Sequence, residues 1–115
     1  MKFTKSGFLM KKYENLSVSV EEKHFLRGFP TRRHSCPVAL ALKDWAIGEG
    51  IALVSASVVP ERIMVAFEEE EEGVFLLSYI PNSDTREMIQ AITDTSRKEL
   101  RNFHPFTAEM RIDPL

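Results

Sequence analysis

The chain has 115 residues, 43% of them hydrophobic, and a formal net charge of −2. That length suits one domain and is too short for two nucleotide-binding halves or an eightfold strand–helix barrel. A single cysteine excludes an intrachain disulfide framework, and no uncharged apolar run reaches the roughly 18 residues needed to cross a bilayer.

The expectation is one domain over residues 1–115, in a reducing cytoplasm and not in a membrane. Phe8 to Tyr13 reads as a short strand. Leu16-Ser17-Val18-Ser19-Val20 alternates apolar and hydroxyl residues, the period of a half-buried strand. Ser19 and Glu22 stand at capping-box spacing, and Gly28 can end the short helix predicted near Glu21 to Arg27. Phe29 to His34 is a basic loop containing Pro30.

Val38, Ala41, Leu42 and Trp45 fall at i, i+3, i+4 and i+7, one face of a helix. Pro37 fits its first turn, Ser35 or Cys36 its cap, and Gly48 with Gly50 its stop. Ile51 to Val59 predicts a strand covered on both faces. Pro60-Glu61 turns the chain into a returning strand over Ile63 to Phe67. The acidic run Glu68 to Glu72, followed by Gly73, reads as a solvated hairpin connection to a strand over Val74 to Ile80.

Pro81-Asn82-Ser83-Asp84 starts a helix whose face is Met88, Ile89, Ile92, Ser96, Glu99, Leu100 and Phe103. Phe106, Ala108, Met110 and Ile112 then alternate with polar residues as a final strand. Strands and helices interleave without strand–helix–strand units. The class is therefore α+β: an antiparallel meander with about three helices packed on it.

The charge is polarised along the chain. Met1 to Asp44 carries nine Lys or Arg against four acids, and Trp45 to Leu115 carries six against thirteen. Thr31-Arg32-Arg33-His34-Ser35-Cys36-Pro37 concentrates the basic character just before a helix. Free N–H groups at a helix start and forked guanidinium donors both favour phosphate oxygens. Arg32, Arg33, His34 and Ser35 are thus candidate ligand-binding residues, with Phe103 and Phe106 as aromatic walls. No glycine-rich phosphate cradle is present. His24, His34, His104 and Cys36 match no standard zinc spacing, so no metal or cofactor is expected. Cys36 lies where a thiol's pKa tends to fall, but no base or orienting group is evident beside it.

The segment Cys36-Pro37-Val38-Ala39-Leu40-Ala41-Leu42 resembles the C-P-[VI]-A-L-A-L signature of small uncharacterised proteins from bacteriophages and bacterial genomes. Their alternating first strand, glycine-terminated short helix and closing Pro-Phe strand match Leu16–Val20, Gly28 and Pro105-Phe106 in order. The five-glutamate loop and a longer helix after Pro81 depart from that pattern. The resemblance implies a shared fold and a phage or prophage setting in a host cytoplasm, and no chemistry.

Three functions stay open. The first is a non-enzymatic binder that sequesters a small anionic ligand such as a nucleotide immune signal. The second is an inhibitor that binds a host protein through the acidic loop or a sheet edge. The third is a weak nucleic-acid binder. A homo-oligomer with its ligand near a subunit boundary is expected, because sheet edges need cover and sites often form between subunits.

Overall fold

A computed structural model describes residues 12–113. The elements in chain order are β1 (Asn15–Val20), α1 (Glu22–Arg27), α2 (Pro37–Glu49), β2 (Ala52–Val59), β3 (Arg62–Glu69), β4 (Gly73–Pro81) and α3 (Ser83–Thr93). A 3-10 helix, Arg97–Asn102, and β5 (Phe106–Ile112) complete the chain. The fold is α+β, with one five-stranded antiparallel sheet in the order β1-β5-β4-β3-β2.

The sheet has two parts. β2, β3 and β4 form the expected meander. β1 and β5 form a ribbon in full register from Asn15↔Arg111 to Val20↔Phe106. Only Tyr79, Ile80 and Pro81 of β4 pair with β5, so a narrow joint connects the parts. The Asp113 amide donates to the Ser78 carbonyl at 2.8 Å, and Arg62 Nη1 donates to Asp113 Oδ2 and to Ser78 Oγ, both at 2.6 Å. These bonds pin the joint. The helix α2 packs against both edge strands, β1 and β2. One helix reaches both edges only because the sheet curls around it.

The alternation in β1 buries Leu16, Val18 and Val20 and exposes Ser17 and Ser19. These three meet Val38, Ala41 and Leu42 of α2, Ile63, Val65 and Phe67 of β3, and Ala108 and Met110 of β5 in one core. Burying each large side chain contributes about 1.5–3 kcal/mol against the entropy of ordering the chain.

Pro37 opens α2 after Cys36, and Gly50 at φ +70° ends it in the left-handed conformation that glycine takes without penalty. Gly28 is required for a different reason. A Cβ there would lie 2.8 Å from the His24 carbonyl and from Pro37, so only glycine lets α1 end against the start of α2.

Several expectations change. Of the strand expected over Phe8 to Tyr13, the first part lies outside the described residues, and 12–14 are helical. The cap of α1 is Glu21 rather than Ser19, with His24 Nδ1 accepting the Glu21 amide at 2.9 Å. β2 is an edge strand, covered only beyond Ser55; Ala52, Val54 and Ser55 are exposed.

The single helix expected after Pro81 is two pieces. Thr93 Oγ1 turns back to the Ile89 carbonyl at 2.8 Å, and Ser96 caps the 3-10 helix by accepting the Glu99 amide. A Thr-Asp-Thr-Ser run offers the backbone such alternatives to a continuous α-helix.

Candidate functional site

The basic segment between α1 and α2 is a closed loop. The Phe29 amide donates to the Ser35 carbonyl, and the Ser35 amide donates to the Arg32 carbonyl, both at 2.9 Å. Two bonds tie the loop to β2. The Val58 amide donates to the Arg33 carbonyl at 2.9 Å, and His34 Nδ1 lies 2.9 Å from the Ala56 carbonyl. A carbonyl only accepts, so Nδ1 carries the proton in that bond. His34 therefore holds the loop against the sheet, and Lys43 Nζ donates to its carbonyl at 3.2 Å. Arg33 is exposed, and Ser35 contributes backbone bonds rather than a cap.

With its backbone fixed, the loop presents Phe29 half-buried and Arg32 exposed. The Arg32 guanidinium lies over the Phe29 ring, 4.2 Å from its centroid. The first residue of the 3-10 helix, Arg97, reaches the same ring at 4.3 Å, and its Nε donates to the Gly28 carbonyl at 3.4 Å. Cation–π attraction to the ring face holds both. Among the described residues neither Arg32 nor Arg97 has a carboxylate partner.

The 3-10 helix extends this positive surface. Arg97, Lys98 and Arg101 line a concavity of about 390 Å³ together with Phe25 and Leu26. Leu26 is 56% exposed, so the floor beside the cations is apolar.

The structure does not bring Phe103 and Phe106 to the loop. Phe103 stacks on the Phe25 ring at a centroid distance of 5.6 Å and Phe106 is tilted against it at 6.3 Å, and both line a second, larger concavity of about 620 Å³ with Met88, His104 and Pro105. No residue from Arg32 to Ser35 lines it. Phe25 is the link: buried beneath the basic concavity, it packs its ring on both aromatics.

Sequence reasoning missed Arg97, Lys98 and Arg101. The available signal was a basic Arg97-Lys98-x-x-Arg101 pattern inside an otherwise acidic half.

Other reactive groups are committed to structure. Cys36 is 5% exposed, and burial pushes its thiol pKa up despite the Val38 and Ala39 amides and Lys43 nearby. That is the reverse of what a thiolate nucleophile needs. His24 is 2% exposed, with Nδ1 accepting from the Glu21 amide and Nε2 2.8 Å from Asp44 Oδ2. Neither ring nitrogen is left to face a substrate. The His24 hydrogen bond, with Lys23 beside it, lowers the Asp44 pKa. Among the described residues no group of three or more His, Cys, Asp or Glu is placed to hold a metal ion, and no helix is long and apolar enough to cross a membrane.

No family model matches the chain, and neither curated proteins nor solved structures give a match.

Proposed function

We propose that the protein binds a small phosphate-bearing ligand, a nucleotide foremost, at the arginine pair on Phe29 and the adjoining basic concavity, without transforming it. The observation that carries this reading is the pairing of Arg32 and Arg97 on one ring without a carboxylate. Both guanidinium forks keep N–H donors beyond the ring, and a phosphate group that reaches them gains charge-assisted hydrogen bonds that no carboxylate of the described residues already occupies. Lys98 and Arg101 supply further donors. Leu26 offers apolar surface for a base, and about 390 Å³ lies within the range of small-molecule sites. The concavity is shallow, so a second copy of the chain completes the enclosure in this reading.

Isothermal titration with ATP and with inorganic pyrophosphate, at low and moderate salt, tests it. Arg32→Ala with Arg97→Ala is expected to weaken binding at least tenfold, since each charge-assisted contact is worth about 1.5–3 kcal/mol. Unchanged affinity in the folded double variant, or no binding of either probe by the native chain at millimolar concentration, overturns the proposal.

A further inference from the structure

The two edges of the sheet are treated differently. The β2 edge is bulged between Leu53 and Ser55, and the loop between α1 and α2 covers Ala56 and Val58. The β1 edge, Asn15-Leu16-Ser17-Val18-Ser19-Val20, has no charge, no proline and no bulge. Those are the devices by which edge strands avoid pairing.

The register identifies which backbone groups are open. The Glu109 amide donates to Thr85 Oγ1 at 2.9 Å, and its carbonyl accepts from the Asn82 amide at 3.0 Å. Both groups of Glu109 therefore point away from β1. Glu109 stands opposite Ser17, so by the alternation of antiparallel pairs Ser17 also turns its N–H and C=O away from β5. Asn15 and Ser19 share that phase. Among the described residues no backbone hydrogen bond satisfies these outward groups.

A concavity of about 340 Å³ runs beside them. Ser17 and Ser19 line it from the sheet face opposite the core, and Ala41, Asp44, Trp45 and Gly48 line it from α2, which packs on the core face. A hollow bounded from both faces of a strand lies along that strand's edge. Its charged walls are Glu21, Glu49, Asp44 and Lys23. Lys23 lies 3.5 Å from Asp44, which leaves Glu21 and Glu49 without a cation partner among the described residues.

We infer that the β1 edge, with the groove beside α2, is a docking site for an extended basic peptide segment of a partner protein, which adds as a sixth strand. Main-chain bonds to Asn15, Ser17 and Ser19 supply affinity, and alternate side chains read the groove. Lysine or arginine is selected there by Glu21 and Glu49. This surface is separate from the anion site proposed above and does not depend on it.

The probe is a fluorescein-labelled octapeptide of alternating valine and lysine, titrated against the full chain by anisotropy. The expected result is saturable binding with raised hydrogen-exchange protection at the Ser17 and Ser19 amides. The same peptide N-methylated at alternate residues should lose at least tenfold in affinity, and so should a valine–glutamate peptide. Glu49→Lys, an exposed change away from the α1 cap, should lower affinity for the valine–lysine peptide and raise it for the valine–glutamate peptide. Equal affinity for the N-methylated peptide, indifference to charge reversal, or protection rising elsewhere than at β1 overturns the proposal.

Discussion

The Tyr79 hydroxyl donates a 2.6 Å hydrogen bond to the Tyr13 carbonyl, joining β4 to the backbone just before β1. In the sheet β5 stands between these two strands, so the bond ties elements two strands apart. Tyr13 is buried against Phe67 and Phe75, and its own hydroxyl donates to Glu69. Part of the acidic run is thus recruited to fix the start of β1 rather than left in solvent. Burial raises the pKa of both tyrosines, so both stay protonated across the physiological range.

Tyr79→Phe keeps the ring and removes that donor. The Tyr13 carbonyl is then buried without a partner, at a cost of about 1–3 kcal/mol. The midpoint of thermal unfolding should fall by several degrees. Calorimetry checks this, and a midpoint equal to the native one contradicts it.

At Gly28 the close approach to Pro37 leaves no room for a methyl group. Gly28→Ala must push α1 away from α2, and overpacking of this kind costs about 1–3 kcal/mol. Urea unfolding should show a lower midpoint with an unchanged slope.

Asp44 gives a signed pH dependence. Its folded pKa is depressed, chiefly by the His24 hydrogen bond. The stability it contributes is therefore complete above the ordinary carboxylate pKa of about 4 and is lost as pH falls through the lower folded value. Asp44→Asn should flatten the acid limb of stability against pH, with the two proteins converging toward pH 2. A parallel acid limb in the variant refutes the assignment.

The buried Cys36 thiol should react with Ellman's reagent slowly in the native protein and rapidly in 6–8 M urea, a standard unfolding range. Cys36→Ser should leave nucleotide binding unchanged. Rapid labelling of the folded chain contradicts the placement of the thiol.

Oligomerisation is tested by sedimentation equilibrium at micromolar protein. A dimer, with or without ATP, is the expected species, because the basic concavity is open on one side. A strict monomer that still binds ATP tightly confines the site to one chain.

Much of the local structure was legible. The hydroxyl–apolar alternation of β1 and the Val38–Trp45 spacing each encode one buried face, and those periods survive any tertiary arrangement. What periodicity does not carry is partner choice. Nothing local to Leu16 states that it pairs with Met110. The arginine pair on Phe29 was half legible for the same reason. Arg32 was visible in a basic loop, but Arg97 reaches Phe29 only through the packing of the 3-10 helix on α1. The spacing of Ile92, Ser96 and Leu100 fits one continuous helix, so periodicity alone does not reveal the separate 3-10 segment that presents Arg97, Lys98 and Arg101. Phe103 and Phe106 pack on Phe25, a partner that no local spacing announces.

The β1–β5 ribbon dictates an order of assembly. β2, β3 and β4 are joined by tight turns and can pair while the chain is still short. Leu16 must instead wait for Met110, and closing so long a loop costs entropy that no early contact repays. On a ribosome, where residues emerge in sequence, β1 and α1 leave the tunnel first yet have no neighbour in the sheet until β5 follows. Through most of synthesis both sides of β1 are open, and its Leu-Ser-Val-Ser-Val run lacks any charge to deter a wrong partner. The nascent chain is therefore most exposed to misassociation at the strand whose native partner is made last.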